Sequence, residues 1–167
     1  MEYHNRIAKI GLFAAFSIIL GVFENFFPLP FPGIRLGLAN IGILLSLYTL
    51  ELSDTMIVVL LKSLFVSVFA GNLVIKLLLS FPSTIASALV MYIYIRITGK
   101  FTSPVSTSAL GSLVHIVCQF GILKIFIIKN LAIYSFLPYF SLISLLTGIF
   151  IGYLACIVLK HIKVEND

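Results

Sequence analysis

The chain has 167 residues, 60 % of them hydrophobic and 10 % charged, far more apolar material than the core of one small soluble domain holds. A soluble monomer is excluded, and six spans of about 20 residues would use roughly 120 positions and leave about 47 for loops and tails, with no room for a separate soluble domain. The net charge of +5 is carried by eleven Lys and Arg scattered among apolar runs, so no basic patch forms for nucleic acid.

Continuous apolar stretches such as ASALVMYIYI and SLISLLTGIFIGYLACIVL read as helices rather than as the alternating strands of a membrane barrel. The expected spans are 7–27, 36–50, 55–70, 74–97, 105–123 and 137–160, an all-α six-helix membrane bundle in one domain, 1–167. The first is too long for a signal-peptide core and is followed by five more, so it reads as a retained span. The stretch FPLPFPG at 27–33 cannot continue a helix, because each proline removes a backbone donor and restrains its predecessor. An ordered surface loop is expected there. Glu51 and Asp54 bracket the next turn, residues 98–104 break the fourth span from the fifth, and 124–136 is less apolar, with Tyr134 and Tyr139 suited to headgroup depth.

With the N-terminus inside, Arg6, Lys9, Arg96, Lys100, Lys160 and Lys163 fall on the cytoplasmic side and Arg35, Lys76, Lys124 and Lys129 outside. Six against four favours a plasma-membrane protein with both termini cytoplasmic. Cys118 and Cys156 lie within apolar runs and carry no disulfide or zinc spacing.

Polar residues inside spans cost free energy and belong on the bundle interior or a cavity. Lys62 follows Asp54 by eight residues, roughly 12 Å along a helix, which puts it near mid-depth. It is either a ligand for an anionic substrate or a structural pair. On the fifth span Ser108, Gly111, Ser112, His115 and Gln119 recur at spacings of three and four and share a face, which reads as cavity lining. GIRLGLAN at 33–40 puts Gly33, Gly37 and Asn40 on one face with Arg35 at the outer end, a fork for carboxylate or phosphate or an ordinary interfacial arginine. Asn72 ends the third span on the same side. Arg35, Asn40, Asn72, His115 and Gln119 therefore converge on the outer half. Glu24 lies near them, either pairing with Arg35 or meeting a cationic part of a ligand. Ser80, Ser83, Thr84 and Ser87, around Pro82, form a hydroxyl stripe of the kind that packs membrane helices. Gly11 with Ala15 and Ser17 with Gly21 are small-residue pairs that let another helix approach.

No GxxxxGK[ST] phosphate loop occurs, and only Glu51 and Asp54 of the six acidic residues are neighbours, which is too few for a magnesium–diphosphate centre. No serine has a paired acid and base at a recognisable spacing. The chain is not expected to be an enzyme or to hold a metal or cofactor.

The segments PLPFPGIRLGLAN at 28–40, Lys62, Ala-Gly-Asn at 70–72, LGSLVHIVCQ at 110–119 and LPYFSLISLLTGIFIG at 137–152 resemble the Gx transporter family. That family is also labelled heptaprenyl diphosphate synthase component I, and it is similar to the substrate-binding S components of energy-coupling factor (ECF) transporters. The resemblance implies a six-helix bundle of the ECF S-component type, capturing a small, anionic or amphipathic nutrient or precursor outside through Arg35, Asn40, Lys62, Asn72, His115 and Gln119. It further implies docking, through a small-residue surface that Gly11 and Ala15 match only in spacing, onto an ECF scaffold membrane subunit with two ABC ATPases. ATP would be used by those partners, not by this chain, and the 27–34 loop would cover the substrate. Two alternatives stand beside it: a non-catalytic membrane subunit of a prenyl diphosphate synthase, and a solitary proton-coupled carrier using His115 and Lys62.

Overall fold

The computed structural model describes residues 2–24, 26, 37–69, 71, 73–126 and 131–164; Arg35, Asn72 and the proline loop at 27–34 lie outside them. Six α-helices account for most of it: α1 (Glu2–Glu24), α2 (Ile41–Thr49), α3 (Leu52–Phe69), α4 (Leu73–Thr98), α5 (Pro104–Phe126) and α6 (Leu137–Val164). Short 3-10 turns precede α2 (Leu38–Asn40), follow α4 (Gly99–Phe101) and precede α6 (Leu131–Phe136). No strand occurs among the described residues.

Five of the helices are long and apolar enough to cross a membrane, which by length and composition makes the chain a multi-pass membrane protein. The second expected span differs. Its described helical stretch runs only from Leu38 to Thr49, about 18 Å at 1.5 Å per residue against a hydrocarbon core of about 30 Å. Every residue from Ile41 to Leu47 is buried, and α2 touches each of the other five α-helices. A helix that is apolar on all sides belongs in a core, and here the core is that of the bundle. The outer helices turn Leu12, Ile19, Leu60, Phe65, Ile93, Leu142 and Phe150 outward, as a lipid-facing surface requires.

The other boundaries move by a few residues. The first helix starts at Glu2 rather than Ile7 and stops at Glu24, before the first proline, and α5 runs three residues beyond Leu123 to Phe126.

Small residues set the helix spacings. A Cβ on Gly152 would stand 2.5 Å from the Cα of Val105 and 2.8 Å from the Pro104 carbonyl oxygen, so α6 packs directly on the backbone of α5. Gly21 sits against Val66 between α1 and α3, and Gly42 against the Phe13 carbonyl between α1 and α2. Hydroxyls cross-link α5 to its neighbours α4, α6 and α2. Ser87 donates to the Gly111 carbonyl at 2.7 Å, Ser144 to the Ser112 carbonyl at 2.9 Å, and Tyr48 and Thr107 share a hydrogen bond of 2.9 Å. Without a hydrophobic force between helices in lipid, such packing and hydrogen bonds hold a bundle together.

At one end Arg6 donates from Nε and Nη2 to the two carboxylate oxygens of Asp54 at 2.7 and 2.8 Å, and from Nη2 to Glu51 at 3.0 Å. An open cleft of about 680 Å³ at this end brings Glu51 beside Tyr92 and Arg96. The first, third and fourth helices thus place their charged ends together, as an alternating up-and-down chain demands.

A buried polar network between the helices

Toward the opposite half of the bundle, five of its helical elements send polar side chains inward. Lys62, on α3, is 1 % exposed. Its ammonium donates to Asn40 Oδ1 at 3.0 Å and to Thr84 Oγ1 at 3.2 Å. Asn40 comes from the 3-10 turn before α2, Thr84 from α4. Thr84 in turn gives its only hydrogen to the Ser80 carbonyl at 2.6 Å, so its oxygen is an acceptor toward every other neighbour. His115 on α5 approaches that oxygen with Nε2 at 3.5 Å. Because Thr84 has no hydrogen left to offer, Nε2 is the donor, and a neutral His115 carries its proton there.

The backbone explains why Thr84 is in place. Pro82 lies inside α4, and a helical proline offers no amide to the carbonyl four residues before it and crowds that turn. The hydroxyls of Ser83 and Thr84 each bond the carbonyl one turn back, those of Leu79 and Ser80, the back-bonding that Ser and Thr make inside helices.

Glu24, at the end of α1, is 3 % exposed and accepts the Gly37 N–H at 2.7 Å. Gly37 has φ +95°, a left-handed conformation that a side chain resists. It is also closely packed: a Cβ there would lie 3.1 Å from Asn40 Nδ2, tighter than an ordinary contact, and 3.9 Å from His115 Nδ1. Glu24, Gly37, Asn40 and His115 therefore meet at one corner, with Lys62 and Thr84 directly behind it.

Of the residues singled out from sequence, Asn40, Lys62 and His115 come together through Thr84. Gln119 is wholly buried one turn beyond His115 on α5. Arg35 and Asn72 fall outside the described residues, so the pairing of Glu24 with Arg35 does too. Gly11 and Ala15 lie on an exposed strip of α1 beside Leu12 and Phe16, and nothing stands within 4 Å of a Cβ on Gly11. Thr84 and Gly37 were not expected in this role. The signal for Thr84 was its place two residues after a helical proline, and for Gly37 its place three residues before Asn40. The hydroxyl stripe on α4 divides: Ser87 packs helices, whereas Thr84 joins the network.

Among the described residues no group of three or more His, Cys, Asp or Glu is arranged to hold a metal ion. Lysine, amides, a hydroxyl and an imidazole can bind and orient a polar molecule through hydrogen bonds.

No curated protein and no solved structure matches the chain. The family model described as heptaprenyl diphosphate synthase component I matches residues 13–158, a stretch that takes in the whole of the buried network. The chain belongs to the heptaprenyl diphosphate synthase component I family.

Proposed function

We propose that the chain is a substrate-capturing membrane subunit, an S component, of an energy-coupling factor type importer. It takes a small anionic or amphipathic molecule from the outer side and hands it on when a scaffold subunit with two ABC ATPases hydrolyses ATP. The observation that carries this reading is the wholly buried Lys62, held by neutral groups from two other elements, Asn40 and Thr84. A charge inside a membrane bundle is expensive and is kept where it serves a ligand or a pathway. Arg35, Asn72 and Gln119 complete the substrate contacts in this reading, and the exposed strip of Gly11 and Ala15 meets the scaffold. The chain itself performs no chemistry.

Co-expression with the host's ECF scaffold and ATPases, followed by affinity purification of this chain, tests it. Stoichiometric recovery of that module is the expected result. Its absence under conditions that recover a known S component overturns the reading.

The family's own description favours a second reading, a non-catalytic membrane subunit that associates with the other component of a prenyl diphosphate synthase. That reading expects a soluble synthase, and no ATPase, to purify with the chain.

A further inference from the structure

Two cavities open along the seam between α3 and α4, and each helix lines both of them from one face. On α4, Phe81 and Ile85 border an apolar groove of about 320 Å³, and Tyr92 and Arg96 border the cleft of about 680 Å³ at the Arg6 end. Steps of four, seven and four keep these four residues on one side of the helix. On α3, Leu52 lines the cleft and Met56 and Leu60 line the groove, at steps of four. The bond from Lys62 to Thr84 sets the two helices side by side, so cleft and groove follow one another along a single seam. Leu60 stands eight residues beyond Leu52, roughly 12 Å along the helix, which reaches well into one half of a hydrocarbon core about 30 Å thick. The seam is polar at its end and apolar within, in the order of a lipid molecule.

The cleft carries one charge of each sign. Glu51 and Arg96 both line it, yet Glu51 bonds Arg6, and no ion pair joins Glu51 to Arg96 among the described residues. Arg96 is exposed. It donates from Nε to the Tyr92 hydroxyl oxygen at 3.0 Å and rests its guanidinium carbon 5.1 Å from the centre of that ring. These contacts fix the fork and leave the Nη donors of Arg96 and the hydroxyl hydrogen of Tyr92 for a phosphate. The helix ends agree: the start of α3, at Leu52 and Ser53, favours an anion, and the end of α4, beside Gly99, favours a cation. From this we infer that the seam binds a phospholipid with a zwitterionic, amine-bearing headgroup, phosphatidylethanolamine, from the leaflet on the Arg6 side. Its phosphate accepts from Arg96 and Tyr92, and its ammonium donates to Glu51. An acyl chain lies in the groove over the buried Val59, between Met56, Leu60, Phe81 and Ile85. A headgroup with only negative charge leaves Glu51 facing it without a partner, and a choline headgroup brings a cation with no N–H to donate. The lipid site goes beyond the capture reading and does not depend on it.

The test is native mass spectrometry of the full chain, purified in detergent, stripped of lipid and mixed with equal amounts of phosphatidylethanolamine, phosphatidylglycerol and phosphatidylcholine of matched acyl chains. Retention of one phosphatidylethanolamine in preference to both other lipids is expected. Arg96→Gln should weaken that binding by about tenfold, as loss of a charge-assisted hydrogen bond does, and Glu51→Gln should abolish the preference over phosphatidylglycerol. Both residues are exposed, and an unchanged thermal midpoint without lipid shows that each variant is folded. Equal retention of the three lipids, an annular coat only, overturns the inference. Preferred retention of phosphatidylglycerol, or binding undiminished in a folded Arg96→Gln, overturns it as well. The wild-type competition needs no variant and no partner subunit, so its failure is separate from a failure to recover the transport module.

Discussion

The guanidinium of Arg6 grips both carboxylate oxygens of Asp54 across 48 residues of sequence, tying the start of the first helix to the start of the third. Asp54 is nearly buried, with a side chain 6 % exposed, while Arg6 is 45 % exposed. Removing the arginine leaves a buried carboxylate without its partner, which costs more than losing the pair as a whole. Arg6→Gln is therefore expected to lower the thermal midpoint in detergent by several degrees. The double variant Arg6→Gln with Asp54→Asn should recover part of that loss, and equal loss in both would contradict the coupling.

Lys62→Met separates structure from binding. Methionine fills a similar volume and removes a buried charge, but it also leaves the buried Asn40 Oδ1 without that donor, so a gain and a cost oppose each other. The thermal midpoint should move by only a few degrees, while any small molecule that copurifies with the wild-type chain, read by native mass spectrometry, should be lost. A stable variant that retains its cargo would assign Lys62 to packing alone.

The two glycine environments give opposite expectations. At Gly152 an added methyl meets backbone atoms of Val105 and Pro104 that cannot turn aside, so Gly152→Ala should cost about 1–3 kcal/mol through overpacking. At Gly11 the methyl meets nothing, and Gly11→Ala should stabilise by up to about 1 kcal/mol through helix propensity. Thermal unfolding of both variants in the same detergent checks the contrast.

A bulkier change at the same exposed glycine addresses the partner. Gly11→Leu should leave folding and cargo intact and reduce recovery of the scaffold and ATPases. Undiminished recovery would move the docking face away from α1.

Ser53 is exposed in the first turn of α3. In a background with Cys118 and Cys156 replaced by alanine, Ser53→Cys should react with a membrane-impermeant maleimide only in inverted vesicles. Reaction in intact cells would reverse the orientation expected from the charge distribution.

Sequence alone carried the helical class, the five long helices and the inward face of α5, because apolar runs and spacings of three and four are local properties. It set the bounds of the second span, 36–50, close to the helical stretch Leu38–Thr49, but did not show that this stretch is buried among the other helices. The pattern from residue 36 to 50 is as apolar as a lipid-facing helix, and nothing local distinguishes burial in lipid from burial among five other helices. Lys62, Asn40 and His115 were each legible as polar residues in apolar surroundings. Their junction was not, since it passes through Thr84, a residue type common in membrane helices, and through the backbone of Gly37. The split in the hydroxyl stripe was equally hidden, because Ser87 and Thr84 differ only in which neighbour each one meets.

The central position of α2 bears on how the chain is made. A described helical stretch of 12 residues is too short to be held across the bilayer by lipid contact, and its partners are all parts of the same bundle. Independent insertion followed by association, which serves the five longer helices, gives α2 no resting place of its own. Its entry is tied to the assembly of α1 and α3, the helices on either side of it in sequence, and Asn40 at its threshold reaches Lys62 only when that assembly is complete. The junction of Asn40 with Lys62 is in this sense a product of the last step of folding, and a chain that stalls before it would reach the membrane without its buried polar network.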